Sequence, residues 1–194
     1  EPPGSTAVKV FRAYEERLRV SNAVDFNDLI NHVVKVFRTC PDRLERWQDR
    51  FHYLLVDEYQ DTNHAQFILA HALAAEHRNL CATGDPDQSI YKWRGADISN
   101  IMNFEHDYPD AKVVLLEQNY RSTKRILHVA NALISHNELR KKKDLWTTKE
   151  DGEPVRVYRF AHESEEAHEI VALMSGLLDD GVSPGEVAIF YRIN

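Results

Sequence analysis

Between residues 6 and 20 (TAVKVFRAYEERLRV) the apolar positions Val8, Phe11, Tyr14 and Leu18 recur at intervals of three and four, which predicts an amphipathic helix. A second helix is expected from Asp25 as N-cap, with Asp28 at the N3 position. It runs through Phe26, Leu29, Ile30, Val33, Val34 and Phe37 until Pro41 stops it. After the polar segment PDRLERWQDR the pattern changes. Residues 51–56 (FHYLLV) form a short β-favouring apolar run ending in Asp57 and Glu58, which predicts a buried strand. Asp61, Thr62 and Asn63 supply capping groups for a helix through Gln66, Phe67, Leu69, Ala70 and Leu73, and residues 80–83 read as a second strand ended by Gly84, Asp85 and Pro86.

The alternation continues with a helix over 97–107, a third strand over 112–116 (KVVLL) and a long helix from Ser122 to about His136. Short, continuously apolar strands alternating with helices predict a parallel sheet covered by helices. A polar, charge-rich stretch at 137–154 (NELRKKKDLWTTKEDGEP) interrupts the pattern and reads as a linker. Beyond it come a strand at 155–160, a helix at about 163–178 and a strand at 187–191.

Composition narrows the class without naming it. The 194 residues are 43% apolar and 28% charged, as in an ordinary globular protein. No apolar run approaches the roughly 18–20 residues of a membrane helix, so no membrane association is expected. Cys40 and Cys81 have no CxxC spacing, which fits a reducing compartment and leaves no cysteine-based zinc site. The ten histidines form no HExxH pair. With 24 Lys+Arg against 31 Asp+Glu the net charge is −7, so any nucleic-acid contact must rest on local cations and stacking.

Three segments carry candidate chemistry. Asp57 and Glu58 leave a strand at its carboxyl end, where open α/β sheets bind ligands. One such carboxylate can hold Mg²⁺ and its neighbour can orient a water, or the pair is simply an acidic turn that caps the next helix. Residues 83–97 (TGDPDQSIYKWRGAD) offer Gln88 as a phosphate-sensing amide. The same segment interleaves Tyr91 and Trp93 with Lys92 and Arg94. That interleaving suits single-stranded nucleic acid, although aromatic residues so spaced also serve as core. In residues 116–122 (LEQNYRS), Arg121 stands where a guanidinium can clamp a phosphate and Tyr120 offers a flat face. The alternative is a capping turn at Ser122 with a surface arginine. Seven Lys and Arg against the single acid Glu138 between 120 and 143 suggest either a phosphate-tracking face or a solvated linker.

Taken together, VDEYQDTN, GDPDQSIYKWRGAD and LEQNYRST resemble successive motifs of the UvrD/PcrA/Rep group of superfamily 1 DNA helicases. VDFNDLI at 24–30 is similar to an earlier motif of that group, and the likeness extends to AIFYRIN at the carboxyl end. The form DEYQDTN leans towards this group rather than the helicase–nuclease branch. The resemblance implies an α/β fold: a RecA-like parallel sheet with flanking helices, the P-loop NTPase helicase core, here incomplete, plus the start of a second RecA-like domain. It implies ATP and Mg²⁺ as cofactors, with Asp57 binding the metal and Glu58 as general base. Gln88 would contact the γ-phosphate, Arg121 would do so in the manner of an arginine finger, and Tyr120 would stack on the adenine. Tyr91 and Trp93 would stack on bases of single-stranded DNA, and Arg94 would link that site to Glu58. The implied activity is ATP-driven 3′ to 5′ translocation and unwinding at single/double-strand junctions. It would take place in the cytoplasm, with repair or replication proteins as possible partners.

One departure stands out: no GxxxxGK[ST] phosphate loop occurs in the chain. The expected organisation is therefore the interior of a helicase. Residues 1–22 would end an inserted helical subdomain, 23–136 would form the later part of the first RecA-like domain, 137–154 a linker, and 155–194 the start of the second. The segment alone is expected to be inactive. The alternative is a stand-alone degenerate module that binds single-stranded DNA or a protein partner without ATP hydrolysis. Against it, Asp57, Glu58, Gln88 and Arg121 are all present.

Overall fold

The computed structural model describes residues 4–138 and 140–191; the last three residues of the AIFYRIN run lie outside that range. The chain forms two compact units, Glu1–Gln118 with Asn131–Leu145, and Asn119–Ala130 with Trp146–Asn194.

Unit 1 opens with three helices, α1 (Thr6–Val20), α2 (Phe26–Thr39) and α3 (Pro41–Arg50). Local chemistry explains their ends. Ser5 accepts from the Val8 N–H to cap α1, and Asp25 and Asp28 form a reciprocal capping box at the start of α2. Pro41 occupies the first position of α3, where its missing N–H is of no consequence. The buried face of α2, Val34 and Phe37, packs with α3 and α4 (His64–Ala74), and Gln48 donates to the Ala72 carbonyl at 2.7 Å.

The sheet is a parallel pair, β1 (Leu54–Val56) and β2 (Leu80–Ala82), joined by α4 as a right-sized βαβ crossover. Leu54, Leu55 and Val56 stand opposite Leu80, Cys81 and Ala82. The ladder is prolonged by Thr83 N to Val56 O and by Tyr59 N to Thr83 O, so the segments after both strands run on side by side. Asn63 and Gln66 make a second capping box for α4.

The strand predictions at 112–116, 155–160 and 187–191 differ from what is observed. None of these runs enters a ladder among the described residues. In the first, Val113, Val114, Leu115 and Leu116 are 47–78% exposed. β-favouring side chains fit a pleated surface, but a strand exists only where another backbone takes its N–H and C=O groups. The predicted helix at 97–107 divides into two single turns, α5 (Ser99–Met102) and α6 (Phe104–Asp107), separated at Asn103. α7 (Lys124–Ile134) is shorter than predicted, and α8 (Glu163–Asp179) lies close to its predicted range. Among the described residues no helix is long and apolar enough to cross a membrane.

Candidate nucleotide and nucleic-acid site

β1 delivers Asp57 and Glu58 at its carboxyl end. Asp57 Oδ1 accepts the Glu58 N–H at 2.9 Å, and Glu58 adopts φ +50°, a left-handed conformation that costs a side-chain-bearing residue energy and turns the chain sharply. Both carboxylates are exposed. They open onto a groove of about 410 Å³ between β1 and α4, with Asp61, Thr62 and Gln66 on its polar side and Leu69 and Leu73 on its apolar wall.

Behind Glu58 lies Gln60, only 1% exposed. Its amide donates to Glu58 Oε2 at 2.7 Å, while its Oε1 accepts the Asp85 backbone N–H at 2.9 Å. One buried side chain thus ties the loop after β1 to the loop after β2. The approach is close enough to require glycine at position 84: a Cβ there would stand 2.6 Å from Gln60 Oε1, 2.8 Å from Ile101 Cδ1 and 3.1 Å from Tyr59 N.

Asp85 caps the 3₁₀ turn Pro86–Gln88, accepting from Asp87 N at 3.0 Å, and its Oδ2 accepts the Gln88 amide at 2.7 Å. Burial pushes the Asp85 carboxyl up. The Lys143 ammonium and the Gln88 amide outweigh this, so the group is held below the usual carboxylate range. Gln88 is therefore connected to Glu58 through Asp85 and Gln60, and both Glu58 and Gln88 are exposed.

The next 3₁₀ turn, Lys92–Arg94, ends at Gly95 with φ +86°. Trp93 is 74% exposed and Tyr91 40%. The Arg94 guanidinium lies 4.5 Å from the Trp93 ring centre and 5.4 Å from that of Tyr91. These rings are surface, not core. The loop is anchored by a bridge between Ala96 and Asn63, by Asp97 N to Thr62 O, and by Asn100 Nδ2 to Thr62 O and Oγ1. The aromatic loop and the carboxylate loop consequently share Thr62 and Asn63.

Tyr120 and Arg121 belong to unit 2. Both are exposed, on a turn in which Asn119 Oδ1 accepts the N–H groups of Arg121 and Ser122 and Lys149 Nζ donates to the Arg121 carbonyl. Sequence reasoning passed over Gln60 and took Gly84 and Asp85 only as the end of the second strand; a neutral amide between two acids in DEYQD was the available signal for Gln60.

Among the described residues no group of three or more His, Cys, Asp or Glu is gathered for a metal ion. Magnesium brought by a nucleotide makes a smaller demand, since it keeps much of its water and takes one or two carboxylates. Exposed Asp57 at the mouth of the groove fits that demand.

A carboxylate edge on a parallel α/β unit, linked through buried hydrogen bonds to an exposed aromatic and cationic loop, defines a class of domain in which a phosphate-type ligand and a stacking ligand can be bound together. The chain belongs to the UvrD/REP helicase family: residues 1–109 match the UvrD/REP helicase N-terminal domain and residues 114–194 the UvrD-like helicase C-terminal domain. Domains of this family have a RecA-like fold, and the β1–α4–β2 unit supplies its paired strands here. The chain is 48% identical over 185 residues to the ATP-dependent DNA helicase PcrA of Staphylococcus epidermidis, covering 95% of this chain and 25% of that protein. It is 48% identical over 186 residues to PcrA of Bacillus subtilis, with 95% and 25% covered, and 47% identical over 190 residues to PcrA of Leuconostoc citreum, with 97% and 25% covered. The chain therefore spans about a quarter of the length of the curated relatives it matches.

Proposed function

We propose that this chain is the interior part of an ATP-dependent DNA helicase that translocates 3′ to 5′ on single-stranded DNA and separates duplex at single/double-strand junctions. Residues 1–22 end an inserted helical subdomain, residues 23–136 form the later part of the first RecA-like domain, residues 137–154 link the two, and residues 155–194 begin the second. The observation that carries the reading is the hydrogen-bonded path from Glu58 through Gln60 and Asp85 to Gln88, on the same unit as the exposed Tyr91 and Trp93.

Asp57 holds the Mg²⁺ of MgATP, which neutralises phosphate charge. Glu58 takes the proton of the attacking water, and Gln60 fixes the carboxylate that does so. Gln88 faces the γ-phosphate, and Asp85 limits its rotation. In unit 2, Arg121 supplies a guanidinium suited to phosphate and Tyr120 a face for adenine. Tyr91 and Trp93 stack on bases, with Arg94 over both rings adding cationic character to that surface. The free thiols Cys40 and Cys81 accord with work in the reducing cytoplasm, in repair or replication.

In the full-length protein, Glu58→Gln lowers DNA-stimulated ATP hydrolysis at least about 100-fold, the usual worth of a general base, while single-stranded DNA binding persists. Undiminished hydrolysis overturns the assignment. Because these 194 residues hold no GxxxxGK[ST], the chain alone is proposed not to hydrolyse ATP. Hydrolysis by the isolated chain that disappears with Glu58→Gln would refute that.

A further inference from the structure

The basic segment at 140–143 takes no part in the reading above, yet three of its four cations are spent on acids far away in sequence. Arg140 Nη2 lies 3.1 Å from Asp87 Oδ2, across 53 residues. Lys143 Nζ donates to Asp85 Oδ1, across 58 residues, and stands 3.5 Å from Asp87 Oδ2. Lys141 pairs with Glu105 of α6. Backbone ties complete the strapping: Asp144 N donates to Glu117 Oε1 at 3.1 Å, and Asn131 Nδ2 to the Leu145 carbonyl at 3.0 Å.

The inner part of this cluster is nearly dry. The Asp87, Arg140, Lys143 and Asp85 side chains are 8%, 14%, 17% and 22% exposed. Ions withdrawn from water lose much of their hydration, and pairing only roughly repays it, so such a cluster is weak evidence of added stability. What it does supply is geometry. Asp85 is the shared member: one oxygen takes Lys143 and the Asp87 N–H, and the other takes the Gln88 amide at 2.7 Å. The cation fixes the rotation of a carboxylate whose far oxygen holds Gln88, and Arg140 joins Lys143 at Oδ2 of the adjacent Asp87.

We propose that Lys143 and Arg140 are positioning residues that set the orientation of the Gln88 amide through Asp85 and Asp87. The proposal rests on the reading of Gln88 as the phosphate-facing group. With Lys143 removed, Asp85 keeps its backbone tie to Gln60 but its carboxylate can turn, and Gln88 loses a fixed acceptor. Misplacement of about 1 Å at a reacting centre costs up to about 100-fold in rate. Substrate binding, shared among many groups, changes little.

The test uses the full-length helicase that carries this segment. Lys143→Gln is expected to lower DNA-stimulated kcat for ATP by about 10- to 100-fold, with KM for ATP and nucleotide-free affinity for single-stranded DNA within about twofold. Lys143→Arg, which keeps the charge, restores most of the rate. Arg140→Gln and Asp87→Asn each lower kcat, and the double variant is no worse than Asp87→Asn alone, because that change already removes the Arg140 contact along with the one to Lys143. Gln88→Ala is the reference. If it lowers kcat while Lys143→Gln does not, the positioning role is overturned and the site reading stands. If Gln88→Ala leaves kcat unchanged, the site reading fails and the positioning role with it. Loss of rate in Lys143→Gln that tracks a fall in Tm and is not recovered by Lys143→Arg also overturns the proposal, since it marks a fold support only.

Discussion

Gly84 and Gln60 are in such close approach that a methyl group on Gly84 would meet Gln60 Oε1 at 2.6 Å. Gln60 is 1% exposed and holds Glu58 with one end and the Asp85 N–H with the other, so it has no room to yield. Gly84→Ala is therefore expected to destabilise the chain by about 1–3 kcal/mol, as overpacking does, and to free Glu58 from its amide partner. Urea unfolding of the two proteins checks it: an unchanged midpoint would mean that the loops after β1 and β2 can separate at little cost.

This junction also marks the limit of what could be read from the sequence. The capping boxes at Asp25/Asp28 and Asn63/Gln66 act over three residues, so the helix starts were legible as local patterns. Strand length was not. Residues 51–56 read as one run with β-favouring Phe51, Tyr53 and Val56, yet only Leu54–Val56 pair, and the runs at 112–116 and 187–191 enter no ladder among the described residues. A ladder is a property of two segments, and one-dimensional pattern reports only one. The site divides in the same way. Asp57, Glu58, Gln88, Tyr91 and Trp93 stood out because their side chains carry recognisable chemistry. Gln60, Asp85 and Gly84 matter through contacts spanning some 25 residues, which spacing does not reveal. Composition likewise makes residues 140–143 look solvated, whereas Arg140, Lys141 and Lys143 each have an acidic partner in the fold.

Trp93 is 74% exposed and bears a guanidinium instead of core neighbours on one face. Trp93→Ala should leave thermal stability within about 0.5 kcal/mol, as surface changes do. In the full-length protein it should weaken single-stranded DNA binding by about 1–3 kcal/mol, the worth of one stacked base. Fluorescence anisotropy with a labelled oligonucleotide measures this. DNA affinity that does not move removes Trp93 from the proposed track.

Asn63 joins the site to the βαβ unit: its side chain accepts from Gln66 N at 2.9 Å, and its backbone bridges to Ala96. Asn63→Ala should cost about 1 kcal/mol through loss of the cap. Asn63→Asp should cost less, because a carboxylate caps as well and favours the positive end of α4. Equal losses for both, read from urea midpoints, would mean that the cap is not the source of the effect.

Tyr59 and His71 make the stability of unit 1 sensitive to pH in both directions. The Tyr59 hydroxyl lies 3.3 Å from His71 Nε2, and Tyr59 is fully buried, which pushes its hydroxyl up to about 12. It remains protonated, and its hydroxyl shares one hydrogen bond with the His71 ring, whose tautomer sets which of the two donates. Burial among Phe67 and Tyr108 lowers the His71 pKa, and Asp107 only partly opposes this. An unfolded histidine takes its proton near about 6.5, above the folded value, so the stabilisation is complete above about pH 6.5 and is lost as pH falls towards the folded value. The tyrosine works in the opposite sense: unfolded it ionises near about 10, so stability present below pH 10 is lost as pH rises towards 12. His71→Phe should lower stability at pH 7.5 by about 1–3 kcal/mol, because it strands the Tyr59 hydroxyl, and should flatten the decline between pH 7 and pH 5. Tyr59→Phe should weaken the alkaline decline, leaving the part due to Tyr108, whose hydroxyl burial also pushes up, and keep the acid one. Urea midpoints across pH 5–11 for the three proteins decide the matter, and parallel acid limbs for wild type and His71→Phe would place the titration elsewhere.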